Sequence, residues 1–190
     1  MSVLEEFHRA GLGIAEGELA ALAARALADI APRYQSAPGD RHVQKTLADA
    51  GFDMSPPAPG ELAHLVAGEV MAYTSVLASS LTVQQAAKRL TVDASRVRQR
   101  VAARTLYGIR IGREWRLPPW QFDGKGVVPG LAPLLAALDP ELDPVSVARF
   151  ANSANEELLI AGEPVSPLRW LAAGRDVEAV VAIASHLTLS

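Results

Sequence analysis

The stretch that decides the fold is LTVQQAAKRLTVDASRVRQRVAARTLYGIRIGREWRLP, Leu81–Pro118. Thr82 is followed three residues later by Gln85. At that spacing a hydroxyl and a side-chain amide can each satisfy a free backbone amide at a helix start. Val83, Ala86, Ala87 and Leu90 then recur at i, i+3, i+4 and i+7, which gives this helix one apolar face. The small Ala86–Ala87 pair lets a second helix approach closely. After a short break at Thr91-Val92, Asp93 or a neighbour caps that second helix. At 100° per residue its Ala94, Val97 and Val101 turn inward, while Ser95, Arg96, Gln99, Arg100 and Ala103 lie opposite. The stretch ends on a basic ribbon. Tyr107 to Arg110 and Arg113 to Leu117 are expected to pair as a hairpin turning near Ile111-Gly112. Ile109, Ile111, Trp115 and Leu117 would form its apolar face, with the arginines along the other.

The charge of the chain is concentrated here. From Leu81 to Lys125 there are ten Lys/Arg and three acids, a formal +7. The remaining residues hold eight basic and eighteen acidic side chains, so they carry −10 in a protein whose total is −3. No acid occurs from Ala94 to Arg113, whereas a solvated bundle face normally mixes signs. A basic segment of this kind can neutralise phosphates, and acidic flanks oppose indiscriminate adhesion to nucleic acid.

A helix, a short turn and a second helix carrying Arg and Gln outward match the geometry of major-groove reading. The groove admits one helix, and these side chains fit purine edges. Ser95, Arg96, Gln99 and Arg100 are the candidate base readers. Arg98, Arg104 and Lys88 are candidate phosphate contacts, joined by Arg110, Arg113 and Arg116 from the hairpin. Trp115 reads as a structural residue that closes a small core. Residues 81–122 resemble the winged helix-turn-helix of the excisionase and MerR-like group. The resemblance rests on the leucine-threonine start, the paired alanines, the recognition helix and the closing Ile111-Gly112-Arg113…Trp115-Arg116-Leu117-Pro118. It implies binding to double-stranded DNA.

The flanks read as helical, so the expected class is mainly α, with three parts. Residues 1–79 form a helical region and a candidate dimerisation element. Residues 80–125 form the winged helix-turn-helix, and residues 126–190 a small helical domain. In the first part Leu19, Leu22, Leu27 and Ile30 suggest an amphipathic helix over 15–31. A loop is expected over Tyr34–Arg41, a helix over 41–50, a rigid SPPAPG break at Ser55–Gly60, and a helix from Glu61 to Leu77. DGKGVVPG, Asp123–Gly130, reads as a linker. Beyond it LAPLLAALD, PVSVARFANSANEEL and DVEAVVAIASHLTL supply three or four short helices. Ser166-Pro167 starts a further one that carries Leu168, Trp170 and Leu171 and ends at Gly174.

Residues 131–189 resemble the C-terminal toxin-binding domain of the Xre/MbcA/ParS antitoxin family. The matching features are Phe150-Ala151-Asn152, Leu158-Leu159 ahead of Gly162, Pro164, Pro167-Leu168 with Trp170-Leu171, Gly174, and a last helix from Val177. The family usually joins this domain to a lambda-repressor-like helix-turn-helix rather than a winged one. The resemblance implies a cognate toxin of the NAD-consuming RES type, capped through Leu168, Trp170, Leu171, Val177 and Val181. A helical dimerisation domain is the other reading.

Several classes of function find no support. Cysteine is absent, which excludes disulfides, thiolate metal sites and thiol catalysis, and a reducing cytoplasm is the expected location. The N-terminus lacks a signal-like apolar run, and no stretch of about 18 apolar residues could span a bilayer. His8, His42, His64 and His186 are scattered, and Glu156-Glu157 is expected on two faces of a helix. No catalytic constellation, metal site or cofactor motif stands out. The expected protein is a homodimeric DNA-binding regulator, antitoxin-like or a stand-alone repressor or excisionase-like factor. An adaptor whose basic segment meets an acidic protein is the third reading.

Overall fold

The computed structural model describes residues 16–35, 59–124 and 126–187. Among the described residues, eight α-helices and three small antiparallel sheets belong to two compact units, Met1–Ser75 and Val76–Ser190.

The first unit contains α1, Glu16–Gln35, and most of α2, Pro59–Ser79. Leu22, Ala26 and Ile30 are buried at successive i+4 steps along α1, whereas Leu27 is 47% exposed. The inward stripe of α1 therefore passes through an alanine that the leucine pattern skips. α2 begins inside the proline-rich run, because Pro59 stands in the first turn, where no intrahelical donor is required. The expected helix over 41–50 and most of the loop before it lie outside the described residues.

The second unit opens with β1, Leu81–Thr82, followed by α3, Val83–Leu90, and α4, Ala94–Ala102. The capping box forms as expected: Thr82 Oγ1 accepts from the Gln85 amide at 3.2 Å, and Gln85 Oε1 accepts from the Thr82 amide at 2.7 Å. Thr91 ends α3 in the left-handed region, φ 55°, and the Val92 amide returns to the Ala87 carbonyl at 3.0 Å. Asp93 stands at the start of α4 without a side-chain cap. Val83, Ala86, Ala87, Val97 and Val101 are all buried, so the two helices close on their small residues.

β2, Ile109–Ile111, and β3, Glu114–Leu117, form the hairpin, and β1 adds to it in the order β1-β3-β2. The loop is Gly112-Arg113, one residue later than expected. Positive φ falls on Gly112 alone, 58°, as a two-residue turn with glycine in its first central position requires. That loop length sets the register. It places Arg110 opposite Trp115 and Ile109 opposite Arg116, so the expected division into an apolar face and an arginine face does not occur. Instead the Arg110 guanidinium lies over the Trp115 ring, 5.6 Å from its centroid.

The glycine-rich stretch expected as a linker is built into the core. A 3-10 turn, Pro119–Gln121, leads into β4, Phe122–Asp123, which pairs with β5, Gly126–Val127. Phe122 and Val128 are buried in the same cluster as Val97 and Leu134, which continues to Ala184. α5, Leu131–Ala137, and α6, Pro144–Asn152, follow. Asn155–Ile160 and Glu163–Val165 then pair as strands β6 and β7, where the sequence reading extends a helix through Leu158. Glu156 and Glu157 are therefore exposed on a strand. α7, Pro167–Ala172, is capped by Ser166 with Pro167 in its first turn, and α8, Val177–Ser185, ends the unit.

The β6–β7 turn is Ala161-Gly162, with φ of 54° and 85°. Two successive positive φ values favour Asn-Gly over Ala-Gly, because alanine has no side chain to stabilise the left-handed region. Ala161→Asn is expected to raise stability by about 0.5–1 kcal/mol, measured as a higher urea midpoint at unchanged m-value. An unchanged or lower midpoint would contradict this turn geometry.

Candidate nucleic-acid interface

α4 divides cleanly by exposure. Val97 and Val101 are buried, while Ser95, Arg96, Arg98 and Gln99 are exposed and Arg100 is half-buried. The division follows from the helical period, since Val97 and Val101 are one turn apart on the inner side and the polar residues occupy the other positions of the turn. Lys88 is exposed on the last turn of α3. Arg89 is tied down, its guanidinium 5.6 Å from the Phe122 centroid and its Nη2 3.4 Å from the Asp123 carbonyl.

Arg98 and Arg113 line one cleft of about 260 Å³, with Thr82, Val83, Gln84, Glu114 and Trp115. The capping box uses the amides of Thr82 and Gln85. The cleft thus opens beside the α3 start. Two guanidinium groups beside a helix start form a cationic recess suited to an anion such as a backbone phosphate. Glu114 on the same rim opposes an anion and limits that charge.

The remaining candidates divide among different surroundings. Arg110, exposed, donates from Nε to the Gly112 carbonyl at 3.2 Å and stacks on Trp115. Arg116 pairs with Ile109 and Thr82, in a register that puts it on the other hairpin face from Arg110. Arg104 does not join the α4 surface. It follows the helix in the left-handed region, φ 53°, and its Nη2 donates to the carbonyls of Leu135 and Leu138 at 2.6 and 2.8 Å. A cation there satisfies free carbonyls at the C-terminal end of α5.

Of the five C-terminal candidates two are buried and three half-buried. Leu168 and Leu171 are buried at 8% and 1% exposure, and Val177 and Val181 are half-buried. Gly130, φ 76°, explains the crowding: a Cβ there would stand 2.8 Å from Val177 and 2.9 Å from Leu171. Half-buried Trp170 donates its indole N–H to the Asp176 carbonyl at 2.7 Å. The accessible apolar surface lies elsewhere, at Leu159, 50% exposed, and in a groove of about 440 Å³ lined by Glu157, Leu158, Ala179, Ala182, Ile183 and His186.

The residue that sequence reading overlooks most clearly is Gln121. It is wholly buried, and it accepts from the Tyr107 amide and donates to the Tyr107 carbonyl, both at 2.8 Å. Its Nε2 also reaches the Pro118 carbonyl at 3.1 Å. One side chain thus takes the place of a neighbouring strand at the entry to the hairpin. Among the described residues no helix is long and apolar enough to cross a membrane. No family model, curated protein or solved structure matches the chain.

Proposed function

We propose that the protein is an antitoxin-like DNA-binding regulator that reads an operator through a winged helix-turn-helix and engages a partner protein through its C-terminal helices and hairpin. The observation that carries the DNA reading is α4. Its apolar side is fixed by Val97 and Val101, and its acid-free outer side presents Ser95, Arg96, Arg98 and Gln99 to solvent. The three-stranded sheet after it, with Arg113 at the hairpin tip beside Arg98, supports the wing. Base reading is assigned to Ser95, Arg96, Gln99 and Arg100. Phosphate contact is assigned to Lys88, Arg98, Arg110 and Arg113. Arg104 is left out because its Nη2 is bonded to the end of α5, and Arg116 because the hairpin register puts it on the other face from Arg110. A homodimer on a repeated or palindromic site follows from the few base pairs that one helix can read.

The partner is proposed from the family resemblance of residues 131–189, which implies a RES-type toxin. Leu159 and the groove between β6 and α8 are better placed to meet it than the buried Leu168 and Leu171. Co-purification with the product of the adjacent gene tests this half. Its absence, together with operator binding, would favour a stand-alone repressor or excisionase-like factor.

Arg113→Ala tests the wing. It is expected to weaken all duplex sequences alike and to reduce the salt slope of log K by about one unit. Fluorescence anisotropy at several salt concentrations reads both. A loss confined to one sequence, or an unchanged slope, would remove Arg113 from the phosphate contacts.

A further inference from the structure

Where the end of α4 meets the hairpin, α5 and α6, the packing leaves a cavity of about 200 Å³. Its walls include Val101, Leu106, Leu138, Leu142 and Val147, all buried, with Trp115 beside them. An apolar cavity of about 150 Å³ admits benzene, so this one has room for a branched aliphatic or single-ring side chain. Two charged residues also line it, Arg104, which is exposed, and Asp139, which is half-buried. They are neighbours on the lining, since Arg104 Nη2 is bonded to the carbonyl of Leu138, the residue before Asp139. The Asp139 carboxylate is itself oriented, with Oδ1 accepting from the Glu141 amide at 2.8 Å. Only Nη2 of the guanidinium is engaged in the Leu135 and Leu138 bonds, which leaves its other N–H groups for a ligand.

We propose that this cavity binds a free α-amino acid with an apolar side chain. The side chain fills the apolar part, the carboxylate meets the Arg104 guanidinium, and the ammonium group meets Asp139. An adjacent cation and anion suit a zwitterion and penalise a ligand with one charge. Without the amino group the ligand carboxylate faces Asp139, and without the carboxylate the ammonium group faces Arg104. The site is independent of the DNA reading, since none of the proposed DNA-contacting residues lines it.

Isothermal titration calorimetry of the full chain with leucine and phenylalanine, against serine, hydrocinnamate and phenethylamine, tests the assignment. Leucine or phenylalanine is expected to saturate with a Kd below about 1 mM, and the other three to bind at least about tenfold more weakly. Asp139→Asn keeps an acceptor for the Glu141 amide but removes the charge. It is expected to weaken the amino acid about tenfold or more while leaving hydrocinnamate unweakened. The proposal is overturned if neither apolar amino acid gives saturable heat. Hydrocinnamate matching phenylalanine would overturn it equally, as would serine matching leucine.

Discussion

Replacing Gln121 by alanine is expected to lower the folding stability of this protein by about 3–5 kcal/mol. The side chain is wholly buried and serves three backbone groups, the amide and carbonyl of Tyr107 and the carbonyl of Pro118. Alanine leaves those groups without their partner and opens a hole where the amide stood. A buried unsatisfied donor or acceptor costs about 1–3 kcal/mol, and the cavity adds to it. Against a total stability of about 5–15 kcal/mol this is a large fraction, so the urea midpoint should fall steeply. The consequence extends to the proposed interface, because Tyr107 leads directly into β2 and the hairpin that carries Arg113. A change under about 1 kcal/mol would show that the amide does not hold the hairpin entry.

The double substitution Arg96→Ala/Gln99→Ala should behave in the opposite way, leaving the fold intact while removing sequence preference. Both side chains are exposed, so the thermal midpoint should stay close to that of the parent. Each well-placed base contact is worth about 1–3 kcal/mol of discrimination, so specific affinity should drop by about 2–5 kcal/mol. Binding to unrelated duplex should change much less, since phosphate contacts supply that part. Competition between operator and random duplex reads the difference. An unchanged ratio of the two affinities would remove these residues from base reading.

What was legible in the sequence tracks how local its cause is. The Thr82–Gln85 cap, the inward Val83, Ala86 and Ala87, and the two-sided α4 are written in short-range spacing, and the structure has them. The hairpin was legible as an element. Its register was not, because a one-residue shift of the turn from Ile111-Gly112 to Gly112-Arg113 moves every cross-strand pair. β1 has two residues and no periodicity of its own, and it exists only through its pairing with β3. The sequence NEELLI is rich in helix formers, yet it is held as β6 by β7 across a turn that forces Ala161 to positive φ. Leu168 and Leu171 are candidates through the family resemblance alone, and neither that resemblance nor helical spacing separates an outward leucine from a core one. Arg104 looked like the other arginines of its run. Its role at the end of α5 comes from a segment about thirty residues away, which no local pattern encodes.

The most direct test of the account is a titration of the unmodified protein into labelled duplex DNA from its own upstream region, between about 50 and 200 mM salt. With Lys88, Arg98, Arg110 and Arg113 on phosphates, log K should fall against log salt with a slope of about −4 per protomer. Absence of binding at the lowest salt, or an affinity indifferent to salt, would contradict the assignment of α4 and the hairpin to a nucleic-acid groove.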